Sequence, residues 1–278
     1  MSKFLCLVDS FRLLAHAYRS GIGGGGFMTV RIPPPPGVNK SEVYTIDFRE
    51  TAPALSNKTM FTDDPVSARF GGLSVAVPGE VRGMQEAYRR WGSLPWSRLV
   101  GPSVLLAACW EVDKELGRRI PVRHFNSRVH CYLPSFFLTF DKYFSNLMLD
   151  NPDWSAIFAP DGRLLKEGEI IRRINLSRTL SVIAEEGPDA FYKVSRHFYR
   201  HEWLINERQG PIADSIVRKV RATGGILSHE DMETYSVKVH HALKGTYRGR
   251  SLYTTHAPTS GPGTHTRRLL ICITLIVR

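Results

Sequence analysis

A run of glycines, five in the six positions 21–26, constrains how this chain can fold more than any other stretch. Glycine tolerates positive φ angles and lets two backbones approach closely, so the run predicts a tight turn. Its letters also fit GxGxxG, a dinucleotide-binding motif that requires a strand before it and a helix after it. Here helix-like spacing leads into the glycines, and the alternating, β-prone segment 27–32 follows them. The reversed order argues against a dinucleotide site, and without a following Lys-Ser or Lys-Thr pair a P-loop is excluded.

Downstream of the glycines, local patterns predict a mixture of strands and helices. A proline loop at 33–36 separates the segment 27–32 from a second predicted strand at 43–46. Apolar residues at helical spacing predict a helix over 80–91, and Gly92 is expected to cap it in the left-handed conformation. The other local predictions are a strand at 73–77, a helix starting at Pro102, a helix ended by Gly187, a helix over 211–222, a capping box at 228–231 and a hairpin at 245–255.

The order of these segments resembles that of the gamma-glutamyltransferases, also called gamma-glutamyltranspeptidases or glutathione hydrolases. After the glycine turn come Asp-Phe-Arg-Glu-Thr-Ala-Pro at 47–53 and a glycine- and valine-rich stretch at 71–83. The likeness continues through Gly-Pro-Asp-Ala-Phe-Tyr at 187–192 and closes with Ala-Pro-Thr-Ser-Gly-Pro at 257–262. These segments are similar to the large subunit of that family, so the resemblance is to a truncated large-subunit portion.

The resemblance implies an α/β chain that forms part of a layered α/β/β/α N-terminal-nucleophile (Ntn) hydrolase fold, incomplete as written. Proteins of the family cleave the γ-glutamyl bond of glutathione and transfer the γ-glutamyl group to water or an amino acid. Their nucleophile is a threonine at the start of the small subunit, with its own amine as the base. The small subunit is absent from this sequence, so we expect these 278 residues to be inactive alone. Because Thr254, Thr255 and Thr259 precede the family's processing site, no catalytic residue is predicted.

Arg49 is the residue to which the resemblance assigns a substrate-binding role. In the family, the arginine of the Phe-Arg-Glu-x-Ala-Pro segment holds the α-carboxylate of the γ-glutamyl group, and Arg49 occupies the matching position. A guanidinium can bind a carboxylate through two parallel hydrogen bonds, whereas lysine offers a single point charge. The alternative is a buried structural ion pair between Arg49 and Glu50 or another acid, and the sequence leaves both interpretations open.

The resemblance also divides the chain into segments. Residues 1–20 are unmatched, 21–262 form the matching large-subunit region, and 263–278 are an unmatched tail. Inside the matching region the likeness breaks and then resumes in register around an insertion of 16 residues, 194–209. The insertion begins with Val-Ser, which a consensus 5′ splice site encodes, and ends with Gln, which a terminal CAG encodes. We interpret it as a retained intron, with a genuine loop insertion as the alternative.

The formal net charge of +11 would ordinarily suggest a nucleic acid or another acidic partner. The three segments outside the likeness, 1–20, 194–209 and 263–278, carry +2, +1 and +3 of this charge. Since no basic stripe with interleaved aromatic residues emerges in the matching body, the sequence predicts no nucleic-acid partner. The resemblance implies glutathione and γ-glutamyl compounds as partners instead.

The sequence predicts no metal site and no cofactor. Its four cysteines show no CxxC spacing, and His240 and His241 are adjacent rather than four residues apart. His256 and His265 have no neighbouring acids at ligand spacing. The sequence contains no GxSxG nucleophile elbow, so a Ser-His-Asp triad has no motif to support it.

The sequence does not determine where the chain works. The family is secretory, membrane-anchored or vacuolar, and three Asn-x-Ser/Thr sequons suit a secreted chain. The apolar run after Lys3 stops at Asp9, short of a signal peptide, and the apolar tail 269–277 is too short to span a bilayer. We therefore expect no signal peptide and no membrane anchor within this sequence.

Two alternatives to the family's enzymatic function remain open on the sequence. One is a non-catalytic partner or binding remnant that keeps the carboxylate-binding turn. The other is a non-functional product of a faulty gene model. A transcript read across codons 194–209 and past codon 262 separates these alternatives.

Overall fold

The computed structural model describes residues 21–34, 36–120, 148–194 and 212–259. The predicted insertion at 194–209, apart from Val194, and the predicted unmatched segments 1–20 and 263–278 lie outside these residues, so their boundaries stay predictions. The α-helices are α1 (Glu80–Trp91), α2 (Trp96–Ala108), α3 (Lys114–Arg119), α4 (Pro152–Phe158), α5 (Ile174–Glu186), α6 (Asp189–Tyr192), α7 (Ile212–Ala222) and α8 (His229–Thr234). The strands are β1 (Phe27–Ile32), β2 (Glu42–Asp47), β3 (Trp110–Glu111), β4 (Ile170–Ile171), β5 (Lys238–His241), β6 (Leu243–Tyr247) and β7 (Arg250–Thr254).

A three-stranded antiparallel sheet, in the order β1-β2-β5, carries the candidate site at one end. Phe27 at the start of β1 lies opposite Asp47 at the end of β2, and Lys238 at the start of β5 lies on the other side of Asp47. This register brings the glycine turn, which precedes β1, next to the residues that follow β2. The segment after Asp47 therefore begins between the start of β1 and the start of β5.

Helix α1 forms where the apolar spacing predicts it. Val81, Met84 and Ala87 are buried on one side, while Glu86 receives Arg89 and Arg90 on the other through salt bridges of 2.8 and 2.5 Å. Such pairs, three and four residues apart, are neighbours on a helix surface. The alternation of buried apolar and exposed charged residues gives α1 one face to pack on the sheet and on the main core.

The main core is built around the contact between α2 and α5. Leu99, Val100 and Ala107 from α2 and Leu180 and Ile183 from α5 are all buried. Two side chains tie the helices together through backbone carbonyls: the Trp96 indole donates to Ile183 O at 2.8 Å, and the Ser177 hydroxyl donates to Val104 O at 2.8 Å. A smaller cluster surrounds the two-stranded β3-β4 sheet and contains Val112, Leu116, Ile120, Phe158, Leu165 and Ile171.

Three local predictions are wrong. Residues 73–77 are not a strand: Gly72 packs on the end of α7, its amide donates to Thr223 O, and Gly72–Ser74 forms a 3₁₀ turn. Gly92 is extended, with φ −68° and ψ 143°, because it lies against the Tyr88 ring, where a Cβ would collide. Helix α2 begins at Trp96, so Pro102 lies inside it rather than at its start.

Other local predictions are confirmed. Helix α5 ends at Gly187, whose φ of +88° suits glycine. Helix α7 runs from Ile212 to Ala222, β6 and β7 form the predicted hairpin, and α8 opens with the predicted Ser228–Asp231 capping box. In the described ranges, none of the helices is both long and apolar enough to cross a membrane.

The α2–α5 contact supplies a direct test of the fold. Leu180 on α5 is completely buried, so Leu180→Ala should leave a cavity and destabilise the protein by about 2–5 kcal/mol. Leu105 on the partner helix is 74% exposed, so Leu105→Ala should change stability by less than about 0.5 kcal/mol. Thermal or urea unfolding of the two variants measures this difference, and equal losses would contradict the packing described.

Candidate functional site

The candidate site is the segment Phe48–Ala54, which follows β2 and lies between the glycine turn and the start of α1. Gly26 and Phe48 exchange two backbone hydrogen bonds of 3.3 and 3.0 Å, which extend the β1-β2 pairing into the turn. The carbonyl of Gly24 accepts hydrogen bonds from the amides of Gly79 and Glu80 at 2.8 and 2.9 Å. Those amides belong to the start of α1, where a helix has no internal partners for its first N–H groups. The glycine turn therefore joins the sheet to the helix.

Glycines around Phe48 allow backbones and rings to come close. A Cβ at Gly25 would overlap the Phe48 carbonyl oxygen and lie 3.1 Å from Glu50 N. A Cβ at Gly79 would meet the same carbonyl, and one at Gly83 would meet the Phe48 ring, which is 4% exposed. The glycine run thus acts through close approach, as the tight-turn prediction expects, and a strand rather than a helix follows it.

Arg49 has both of its backbone polar groups bound and its side chain exposed. The Arg49 amide donates to Asp47 Oδ1 at 3.0 Å, and the Arg49 carbonyl accepts from the Tyr235 hydroxyl at 2.8 Å. Its guanidinium makes no hydrogen bond or ion pair with any residue in the described ranges. The buried ion pair weighed as the alternative for Arg49 does not occur among those residues.

The rest of the segment is held at two further points. Thr51 and Val77 exchange backbone hydrogen bonds of 3.3 and 2.8 Å in an isolated antiparallel bridge. The Ala54 amide donates to Asp231 Oδ1 at 2.8 Å, while Asp231 Oδ2 accepts from the Ser228 amide and hydroxyl at 2.9 and 2.6 Å. Asp231 therefore caps α8 and also anchors the candidate site.

The ionisation states of the anchoring groups follow from their surroundings. Burial alone would raise the pKa of the Asp231 carboxyl, but hydrogen bonds from Ser228 and Ala54 outweigh it and hold that pKa below its usual value. Burial, with the nearby charges of Asp47, Glu50 and Glu80, raises the pKa of the Tyr235 hydroxyl. Asp231 is thus a charged acceptor, and Tyr235 a protonated donor, at neutral pH.

Behind the site, Tyr192 from the 187–192 stretch supports the entry to α1. Its hydroxyl donates to the Pro78 carbonyl at 2.9 Å and accepts from the Arg82 amide at 3.2 Å. The Arg82 guanidinium lies 4.3 Å from the centre of the Tyr192 ring and also pairs with Asp189 at 2.5 Å. Two segments far apart in the chain therefore meet at the residues that hold Gly24.

Other candidate chemistry is limited in the part of the chain that the structure describes. No group of three or more His, Cys, Asp and Glu residues there could hold a metal ion. The rings of His240 and His256 lie 5.1 Å apart, and His256 Nδ1 is buried without a hydrogen-bond partner among the described residues. The Thr255 and Thr259 hydroxyls lie 2.5 Å from each other. His265 lies outside the described residues.

Sequence reasoning singled out Arg49 but missed the residues that hold it. Tyr235 carries no sequence signal of its own, since a tyrosine after a short helix is an ordinary core residue. Asp231 was predicted only as part of a capping box, and nothing local indicates its contact with Ala54, 177 positions away. An alternating or helical pattern of apolar residues indicates which face of an element is buried. It does not indicate which distant backbone group a side chain binds.

The close approach at Gly25 predicts a specific sensitivity. Gly25→Ala should push the Phe48–Glu50 backbone away and destabilise the protein by about 1–3 kcal/mol, as overpacking does. Gly23→Ala is the matched control, because a Cβ there meets nothing within 4 Å and its φ is not in the left-handed range. Thermal unfolding compares the two, and a similar midpoint for both variants would contradict the close approach.

The lowered pKa of Asp231 predicts a pH dependence. A carboxylate with a depressed folded-state pKa stabilises the fold above its unfolded pKa of about 4, and this stabilisation is lost as pH falls through the folded-state value. Asp231→Asn should therefore lower the thermal midpoint at pH 7, and its difference from the unmodified chain should shrink below about pH 4. Asp63→Asn, in an exposed loop, should have little effect at either pH. A deficit for Asp231→Asn that persists unchanged at pH 3 would count against this role.

Several known proteins are similar to this chain in sequence and in fold. The sequence model of the family described as Gamma-glutamyltranspeptidase matches residues 12–271. Glutathione hydrolase proenzyme 1 of Schizosaccharomyces pombe is 38% identical over 247 residues, which make up 88% of this chain and 32% of that protein. The chain thus spans about a third of the length of the curated relatives it matches.

Solved structures are similar to this chain as well. The gamma-glutamyltranspeptidase of Helicobacter pylori has a TM-score of 0.70 to this chain at 25% identity, over 94% of this chain and 64% of that one. The cephalosporin acylase of Bacillus halodurans, 21% identical with a TM-score of 0.62, shares the fold over 89% of this chain and 40% of its own. These neighbours confirm the predicted α/β fold of the Ntn-hydrolase type. Because the family model covers nearly the whole sequence, the chain belongs to the gamma-glutamyltranspeptidase family.

Proposed function

We propose that this chain provides the γ-glutamyl-binding part of a glutathione hydrolase, with Arg49 holding the α-carboxylate of the γ-glutamyl group. The observation that carries the proposal is the state of Arg49. Its backbone is bound at both N–H and C=O, and its guanidinium is exposed and unpaired among the described residues. A cation held on a fixed backbone, without an internal counter-ion, is suited to an anionic ligand.

The overall reaction proposed is hydrolysis of the γ-glutamyl bond of glutathione, or transfer of the γ-glutamyl group to an amino acid. The relative from Schizosaccharomyces pombe named above and others from plants and bacteria are glutathione hydrolases, which supports this activity. The residues described here would contribute binding and orientation, since we assign no nucleophile among positions 1–278. A bound substrate held at its carboxylate has its γ-carbonyl at a defined place, which is the orientation that acyl transfer requires.

The chemistry of the guanidinium sets the size of the expected effect. Two charge-assisted hydrogen bonds from Arg49 to one carboxylate define both distance and plane, and lysine cannot reproduce that geometry. Hydrogen bonds to charged groups contribute about 1.5–3 kcal/mol. The loss of the paired contact should therefore weaken binding by about ten- to a hundredfold.

The test is the affinity of the 278-residue chain for glutathione, measured by calorimetry. Binding is the appropriate readout because we assign no nucleophile within this chain. Arg49→Lys should raise the Kd for glutathione about ten- to a hundredfold. The matched control is Arg31→Lys, an exposed arginine at the far end of the same sheet, which should leave the Kd unchanged.

A second ligand identifies the group that Arg49 contacts. In 4-aminobutyryl-cysteinylglycine the α-carboxylate of the glutamyl residue is missing and the rest of glutathione is kept. This analogue should bind the unmodified chain weakly, and Arg49→Lys should not weaken it further. An absence of saturable glutathione binding, or equal affinities for the unmodified chain and Arg49→Lys, would contradict the proposed function.

A further inference from the structure

We propose that Tyr235 and Asp231 are positioning residues that orient the Arg49 guanidinium by hydrogen-bonding to the two ends of the segment Arg49–Ala54. The inference rests on the proposed role of Arg49 as the carboxylate-binding residue. Neither side chain is required to contact the ligand. Both act on the backbone that carries Arg49.

The two residues lie together because α8 and the residue after it present them on one side. Asp231 is within α8 and Tyr235 directly follows it, so they are four positions apart and neighbours on the helical surface. The Tyr235 hydroxyl donates to the Arg49 carbonyl, and Asp231 Oδ1 accepts from the Ala54 amide, each at 2.8 Å. Helix α8 and the residue after it thus bind the Arg49 carbonyl at the first end of the segment and the Ala54 amide at its last end.

The backbone of Arg49 is bound at its N–H and its C=O, while its guanidinium has no partner among the described residues. Its amide is bound to Asp47 and its carbonyl to Tyr235, while the Thr51–Val77 bridge holds the middle of the segment. A loop that is ordered before binding does not lose conformational entropy when the ligand arrives. Without the Tyr235 contact, the Arg49 peptide could rotate, and the guanidinium would have to be ordered during binding.

The ring of Tyr235 is packed against other side chains, and this packing gives its hydroxyl a defined position. The residue is 8% exposed, and its ring is parallel to that of fully buried Tyr192, with centroids 6.0 Å apart and an interplanar angle of 6°. Tyr192 is in turn bound through its hydroxyl to the Pro78 carbonyl. The single hydroxyl proton of Tyr235 is used on the Arg49 carbonyl, so its assigned role is to hold the backbone rather than to donate to substrate.

The experiment compares the glutathione Kd and the thermal midpoint of three single variants of the 278-residue chain. Tyr235→Phe removes only the hydroxyl and should weaken glutathione binding about three- to tenfold. Ser177→Ala is the matched control, since it also removes a hydroxyl-to-carbonyl hydrogen bond of 2.8 Å but in the distant α2–α5 contact. Both variants should lower the thermal midpoint, and only Tyr235→Phe should change the Kd. Arg49→Ala defines the loss that follows from removing the guanidinium itself.

Coupling to Arg49 separates positioning from a general structural effect. In the Arg49→Ala background, Tyr235→Phe should leave the remaining Kd unchanged within about twofold, because no guanidinium is left to position. If Tyr235→Phe does not fold, Asp231→Asn, which weakens the other anchor, is measured in its place with the same expectation.

The outcomes distinguish this inference from the function on which it rests. If Arg49→Ala binds glutathione as well as the unmodified chain, the proposed function fails and the inference fails with it. If Arg49→Ala weakens binding but Tyr235→Phe and Ser177→Ala both leave the Kd unchanged, the inference alone is overturned. It is also overturned if Ser177→Ala weakens binding as much as Tyr235→Phe, or if the effect of Tyr235→Phe persists in the absence of Arg49.

Discussion

The hydrogen bonds accepted by the Gly24 carbonyl connect the parts of this structure on which the candidate site depends. Through them the turn before β1 is bound to the amides of Gly79 and Glu80 at the start of α1. The same turn pairs with Phe48 after β2, so sheet, helix and site segment share one junction. The junction requires glycine at positions 25 and 79, because a Cβ at either position would overlap the Phe48 carbonyl. The glycine run therefore allows close backbone packing, and it is followed by a strand where a dinucleotide-binding motif requires a helix.

From this junction the site is held by residues that come from widely separated parts of the chain. Tyr235 and Asp231 approach from α8, Val77 from the segment before α1, and Tyr192 supports that segment from behind. Each contact involves a backbone group of the site segment or of the residues next to it. Secondary structure satisfies most backbone groups in a protein, but a loop must find such partners elsewhere. That requirement explains why the Tyr235 hydroxyl and the Asp231 carboxylate are bound to backbone groups of the site segment.

The sequence predicted the elements with strong periodicity and missed what depends on close tertiary contact. Helix α1 follows directly from the spacing of Val81, Met84 and Ala87, and the capping box from Ser228 and Asp231. The strand predicted at 73–77 does not form because Gly72 is drawn against the end of α7. Pro102 was placed at a helix start, yet α2 accommodates it: the carbonyl it cannot bond belongs to exposed Arg98. At the site, the family resemblance indicates Arg49, but the roles of Tyr235 and Asp231 are visible only in the structure because their partners are distant in sequence.

The most direct measurement is a crystal structure of the 278-residue chain with glutathione bound. The account predicts two nitrogens of the Arg49 guanidinium at about 2.7–2.9 Å from the two oxygens of the γ-glutamyl α-carboxylate. It also predicts that the Tyr235 hydroxyl still donates to the Arg49 carbonyl and that Asp231 still accepts from Ala54. Glutathione bound elsewhere, or an Arg49 side chain paired with Glu50 while the ligand carboxylate lies against another residue, would contradict the account.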